Sequence, residues 1–269
     1  MDKDSFGGYS IIRDLAGGGM MHLYVARDAA DNRVVIRTPK EEYRRDRHIR
    51  KYFLKNAEIL SQFRHPNIIR VLHFSKDGGV PFMLLEYVEA KNLRDLILYR
   101  EALLTDNPLS LIRQLASAIY YLHSCNWLHL DIKPENILIR SDGLLTLIDF
   151  DLIMPRKNKP QKVRQIPGTP SYVAPEVYQR HLVDERADIY ALGTTCYEML
   201  CHHKPFEGKT PEVSRQMQLD PRIRPAPMKQ YNPAVPPRME SVIFKCLAKN
   251  PDERYPSMSL IIKDLESLI

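Results

Sequence analysis

The sequence predicts an α+β chain built in two parts: a strand-rich first part over residues 1–88 and a mainly helical second part over residues 89–269. Three observations carry this reading. Five short β-branched or alternating runs separated by turn residues crowd the first part, one segment of helical period interrupts them, and after Asn92 the apolar spacing is helical almost throughout.

The elements follow in order. Residues 9–16 (YSIIRDLA), 22–28 (HLYVARD) and 33–38 (RVVIRT) read as three strands in meander order, with GGG and DAADN as the turns between them. Over residues 45–63 the period changes: Ile49, Phe53, Ala57, Leu60 and Phe63 recur at helical spacing until His65, Pro66 and Asn67 end the run. Residues 68–74 and 82–88 supply two more strands, linked across KDGG. In the second part Leu109, Ile112, Leu115, Ala116, Ile119 and Leu122 form an apolar stripe on a long helix. The loop after that helix carries WLHLDIKPENILI, residues 127–139. Later helices run through ERADIYALGTTCYEML, from Thr210 as cap with Pro211 in the first turn, and twice near the C-terminus.

Composition narrows the class of protein. A chain of 269 residues with 44% hydrophobic and 27% charged residues has the make-up of an ordinary globular protein long enough for two lobes, which excludes fibrous and disordered classes. Cys125, Cys196, Cys201 and Cys246 form no CxxC pair, so neither a zinc site nor a disulfide framework is expected. The N-terminus MDKDSFGGYS lacks the apolar core of a secretory signal, and no apolar run approaches the roughly 18 residues of a spanning helix. A cytoplasmic chain, or the cytoplasmic domain of a longer protein, is expected, with no membrane contact from this segment. The net charge of +6 gathers in two places, Arg44 with Arg45, Arg47, Arg50, Lys51 and Lys55, and Arg156 with Lys157, Lys159, Lys162 and Arg164. These read either as solvated surface or as a contact for an acidic partner. Nucleic acid is not expected, because no stacking aromatics are interleaved with the charges.

Three short signals stand in fixed order: HLDIKPEN at 129–136, IDFD at 148–151 and GTPSYVAPE at 168–176. Together they resemble the eukaryotic-type (Hanks-type) serine/threonine protein kinases over essentially the whole chain, matching the catalytic loop HRDxKPxN, the metal-binding DFG and the closing APE. Asp188 in ADIYALG is similar to the family's DxxxxG helix. Arg254 in NPDERY is similar to the arginine that pairs in the family with the glutamate of APE, here Glu176. The resemblance implies the bilobal kinase fold, with a small lobe of antiparallel sheet plus one helix and a larger helical lobe, and it implies ATP, Mg2+ and a protein substrate or signalling partner. Asp131 would then accept the proton of the attacking hydroxyl, and Lys133 would neutralise charge on the transferred group. Asn136 and Asp149 would supply the hard oxygen ligands that magnesium prefers. Thr169 together with Lys133 resembles the serine/threonine type, and His129 is expected in the core beneath the loop.

The departures from the family pattern fall elsewhere. In LAGGGMMHLYVA the three glycine positions of the phosphate-binding loop become Ala16, Gly18 and Met21, so only the middle one is kept. The family's VAIK appears as VVIR, which turns the phosphate-binding lysine into Arg37, and its partner glutamate falls on Asn56. Glu58 lies about 200° around the helix from Asn56 and is a poor substitute. The resemblance assigns nucleotide contacts to Leu15, Gly18, Leu23, Val35, Arg37 and Leu138, with Leu85 behind the base and Glu86 to Val88 as the hinge; Val35 for alanine makes a tighter slot. Leu130 replaces the arginine that binds a phosphate on the activation segment in many relatives, and residues 149–168 contain no Ser, Thr or Tyr. A phosphate switch in that segment therefore has neither acceptor nor receiver. Asp151 replaces the glycine of DFG. Two expectations follow: an ATP- and Mg2+-dependent serine/threonine kinase that is slow or atypical, or a pseudokinase that holds nucleotide and acts as a binding or scaffolding module.

Overall fold

The computed structural model describes residues 5–15 and 19–268. The chain forms two compact units, Met1–Glu89 and Ala90–Ile269.

The first unit is an antiparallel sheet of β1 (Ser5–Phe6), β2 (Tyr9–Leu15), β3 (Met21–Arg27), β4 (Arg33–Pro39), β5 (Val71–Asp77) and β6 (Val80–Glu86), with one helix, α1 (Arg47–Leu60). The strand order is β1-β2-β3-β4-β6-β5. Six strands replace the five expected, because SFGGYS holds a hairpin too short to show periodicity. Gly7 and Gly8 take positive φ (61° and 85°), which returns Ser5 against Ser10 and Phe6 against Tyr9. A Cβ on Gly7 would meet the Phe82 ring at 2.7 Å, so the turn requires glycine for space as well as for φ. Phe6 then stands edge-on to Phe82 at 5.6 Å.

Alternation along the strands separates two faces. Phe6, Ala26, Val34, Ile36, Phe82 and Leu84 make a buried cluster on one. The registers put Leu15, Leu23, Arg37 and Met83 in one row across the other face, and Val25, Val35 and Leu85 in the next. Helix α1 packs on β4, β5 and β6 through Phe53, Asn56, Ala57 and Leu60. It begins two residues later than the periodicity suggests, since Asp46 acts as cap, accepting from the amides of His48 (2.7 Å) and Ile49 (3.1 Å). Arg47, Lys51 and Lys55 line its exposed side. The last two strands also shift against expectation. Ile68 and Ile69 are buried just ahead of β5, which begins at Val71.

The second unit contains β7 (Lys91–Asn92), α2 (Leu93–Leu98), α3 (Leu103–Asp106), α4 (Pro108–Ser124), β8 (Trp127–Leu128), β9 (Ile137–Ile139), β10 (Leu145–Leu147), β11 (Met154–Pro155), β12 (Gln161–Lys162), α5 (Pro175–Arg180), β13 (Leu182–Val183), α6 (Glu185–Cys201), α7 (Pro211–Leu219), α8 (Pro237–Cys246) and α9 (Met258–Glu266). Helix α6 is buried from Ala187 to its end, which suits a helix enclosed on all sides. Against it and β10 packs α4, whose buried stripe includes Leu111 and Ala118, while Leu109 at its start is only half-buried. Thr210 caps α7 by accepting from the Val213 amide, with Pro211 next, as the sequence suggests. Short ribbons pair β8 with β11 and β12 with β13, and β9 lies between β10 and β7.

Among the described residues no helix is long and apolar enough to cross a membrane. Cys196, Cys201 and Cys246 are buried, and burial pushes the thiols of Cys201 and Cys246 up to about 12, so neither is a thiolate near neutrality.

Truncating Ile36, which is fully buried, should cost roughly 2–5 kcal/mol, whereas Ile12→Ala, on an exposed side chain, should stay within about 0.5 kcal/mol. Urea denaturation of both variants checks that Ile36 lies in the core and Ile12 outside it.

Candidate active site

The loop after β8 is shaped by one buried acid on α6. Asp188 Oδ2 accepts from the His129 amide (2.9 Å), and Oδ1 accepts from the Leu130 amide (2.8 Å). His123 Nε2 lies 2.8 Å from Oδ2. Burial alone would raise the Asp188 carboxyl, but the bond and charge of His123 and the His129 amide outweigh it and hold the group below its usual range. With both amides fixed, Leu130 sits at φ 64°, a region that costs a leucine about 1–2 kcal/mol, and buries its side chain. The His129 ring is fully buried 4.9 Å from the Phe150 ring, as the sequence suggests, and its Nδ1 accepts from the Asp131 amide at 3.2 Å. Burial holds His129 below the usual histidine range, so it is neutral near pH 7.

That loop presents Asp131 to four donors. Its Oδ2 accepts from Lys133 Nζ (2.7 Å) and Asn136 Nδ2 (3.0 Å), and its Oδ1 from the amide (3.0 Å) and hydroxyl (2.9 Å) of Thr169. Lys133 Nζ also donates to Thr169 Oγ1 at 2.7 Å. Thr169 is brought in by Gly168 at φ 94°, where a Cβ would lie 2.6 Å from the Leu130 carbonyl. Only glycine allows that approach of the activation segment to the loop.

Asn136 Nδ2 also donates to the Asp131 carbonyl (2.8 Å), which leaves the amide oxygen as the remaining polar atom of this buried side chain. The Ile148 amide donates to the Asn136 carbonyl at 2.8 Å, so the residue before Asp149 is anchored on Asn136. Asp149 itself is exposed, at φ 59°. One carboxylate and one amide oxygen make a hard donor set, which fits magnesium with its retained waters and phosphate oxygens. No group of three or more His, Cys, Asp or Glu that could hold a metal ion exists among the described residues.

Glu176 and Arg254 form the pair expected from the motifs, bidentate at 2.8 and 2.7 Å, with Arg254 also donating to the carbonyls of Arg186 and Ala248. Arg94 is the functional-region residue that sequence reasoning misses. From α2 it donates to Glu135 in the catalytic loop (2.8 Å), to Glu198 on α6 (2.7 Å) and to Tyr172 in GTPSY (2.7 Å). Tyr172 in turn donates to Glu198. The three partners lie 41, 104 and 78 positions away, so nothing local in LRDL announces the contact.

The first unit puts Leu15, Leu23, Val35, Arg37 and Leu85 on the sheet face opposite the Phe6 and Phe82 cluster. Arg37 and Asn56 are buried, whereas Glu58 is exposed. Met21 and Val35 are buried as well. Glu86 ends β6, its carboxylate accepting from the Arg70 amide at 2.9 Å, and Val88 lies in the irregular stretch that follows. Leu138 belongs to the second unit, in β9 opposite Thr146 and Asn92. Ala16 and Gly18 lie outside the described residues.

Comparison with known proteins adds the following. The protein kinase domain matches residues 9–264. The serine/threonine-protein kinase PrkC of Bacillus subtilis is 30% identical over 263 residues, 97% of this chain and 40% of its own length. PknB of Mycolicibacterium smegmatis is 29% identical over 265 residues, covering 96% of this chain and 42% of its own. A probable serine/threonine-protein kinase of Clostridium perfringens is 29% identical over 97% of this chain and 38% of its own. The chain thus spans less than half the length of these relatives.

The buried His129 sets a pH dependence. Its folded pKa lies below the ordinary 6.5, so in acid the unfolded chain binds a proton that the native ring refuses, and stability falls as pH drops below about 6.5. Urea denaturation at pH 7.5 and 5.5 should show this loss in the wild type and a smaller one in His129→Leu.

Proposed function

Because the chain belongs to the protein kinase family and is similar to its serine/threonine members, we propose that it transfers the γ-phosphoryl group of ATP, with Mg2+, to serine or threonine hydroxyls of a protein, and does so slowly. The observation that carries this reading is the bonded cluster of Asp131, Lys133, Asn136 and Thr169. Phosphoryl transfer requires position and charge stabilisation above all, and the cluster supplies both. As the substrate oxygen bonds to the γ-phosphorus and the bond to the ADP oxygen breaks, Asp131 takes the hydroxyl proton, replacing the bond it now receives from Thr169 Oγ1. Lys133, released to the same side, offsets charge on the transferred group. Asn136 and Asp149 would hold Mg2+, which would supply positive charge to the phosphate oxygens. Leu15, Gly18, Leu23, Val35, Leu85, Val88 and Leu138, with the Glu86 backbone, are assigned to the nucleotide base and sugar, and Arg37 to its phosphates. The domain would act in the cytoplasm, where ATP is available.

The expected slowness comes from Arg37 and Asn56. Arginine keeps the charge of the family's lysine, but its planar fork needs different partners, and neutral Asn56 cannot make an ion pair with it. Misplacing reactants by about 1 Å costs on the order of 10²-fold in rate. The buried side chains of Met21 and Val35 favour a second reading, a pseudokinase that holds nucleotide without useful turnover and signals as a binding module.

Transfer of labelled phosphate from ATP to protein substrates should fall roughly 10²- to 10⁴-fold in Asp131→Asn. Equal signals from the two proteins contradict the kinase reading, and a rise in Tm with ATP and Mg2+ but no transfer selects the binding module. The double change Arg37→Lys with Asn56→Glu should raise transfer by more than the product of the single effects; additive singles would remove positioning as the defect.

A further inference from the structure

The activation segment carries five cations, and one of them is engaged within the fold. Arg156 pairs with Glu185 at 2.6 Å and donates to the His123 carbonyl at 3.2 Å, while its own amide donates to the Asn126 carbonyl at 2.8 Å. Lys157, Lys159, Lys162 and Arg164 are exposed, and none has a carboxylate partner among the described residues. They do not dangle from a loose loop. β11 pairs with β8, and β12 with β13, on either side of them.

The second ribbon gathers more charge. Lys162 lies opposite Leu182, and the Val163 amide donates to the His181 carbonyl at 2.9 Å. Arg164 follows β12, and Arg180, the exposed basic end of α5, precedes β13 across the His181 bend at φ 55°. Nearby carboxylates cannot offset these cations, because Asp184 is held by Arg186 at 2.7 Å and Glu185 by Arg156.

A separate observation points the same way at the catalytic loop. Glu135, an acid of that loop, is already paired with Arg94 at 2.8 Å. Asp149, assigned to the metal on the kinase reading, accepts from the Asp151 amide at 3.2 Å. The ribbon thus offers exposed positive charge, while the Glu135 carboxylate of the loop is paired. Arg164 precedes Thr169, which touches Asp131, by five positions, a reach of at most roughly 17 Å.

We propose that Lys157, Lys159, Lys162, Arg164 and Arg180 form the docking surface for an acidic segment of the protein partner, with Asp or Glu residues within about five positions of the hydroxyl. The placing of the acids relative to a reacting hydroxyl rests on the kinase reading, while the surface itself rests on the ribbon and its charges. Exposed charges of this kind steer encounter and select partners, and salt screens them.

The test measures fluorescence anisotropy of labelled 15-residue peptides with a central threonine, flanked by Glu and Asp, by Lys and Arg, or by neutral residues. The full chain, the variant Lys162→Glu with Arg164→Glu, and a control variant Arg47→Glu with Lys51→Glu on the α1 face are compared at low and high salt. The acidic peptide should bind at least about tenfold more tightly than the basic one, and lose about tenfold in the ribbon variant and in high salt, but not in the control. Equal affinity for acidic and basic peptides, or an unmoved ribbon variant, overturns the proposal. So does a single-stranded oligonucleotide that binds the ribbon more tightly than the acidic peptide. Phosphate transfer to the same peptides separates the two readings. Charge-selective binding without transfer supports the surface and contradicts the kinase, whereas transfer indifferent to flanking charge contradicts the surface alone.

Discussion

A single buried carboxylate, Asp188, holds the catalytic loop in shape. Removing a carboxylate from water costs several kcal/mol, and here the cost is offset by three donors: the His129 and Leu130 amides and the His123 ring. The geometry then passes outward in steps. Fixing the two amides forces Leu130 into the left-handed region, which turns Asp131 out of the loop while His129 stays beneath it. The Leu130 carbonyl in turn sets the place where Gly168 can pass, and Gly168 delivers Thr169 to Asp131.

The activation segment is held by permanent interactions. In many relatives a phosphate would bridge the segment to an arginine at position 130, but here Leu130 is buried and residues 149–168 contain no Ser, Thr or Tyr. Two ribbons, the Arg156 to Glu185 pair and the Arg254 to Glu176 pair fasten it instead. A buried bidentate pair such as Arg254 with Glu176 fixes one arrangement, since removing either partner strands the other charge. The fold thus carries in its sequence the order that a reversible modification would otherwise impose.

What could be read from the sequence depended on how local each cause was. The long helices announced themselves through periodicity, and the loop residues Asp131, Lys133, Asn136 and Thr169 through their motifs; the structure brings all four within hydrogen-bond reach. The pairing of Glu176 with Arg254 was also legible, because both ends lie in motifs. β1 was not, since two residues are too few for alternation and the signal was only a pair of glycines. Ile68 and Ile69 misled because a buried approach to a strand has the same composition as the strand itself. Arg94 was invisible, because its importance comes from three partners far apart in the chain.

Hydrogen exchange at two amides tests the central claim, that Asp188 locks the loop without any phosphate. In unphosphorylated protein the His129 and Leu130 amides should exchange as slowly as the buried turns of α4 and α6, opening only with the second unit as a whole. Exchange of these two amides on the time scale of a surface loop, while α6 stays protected, would contradict it.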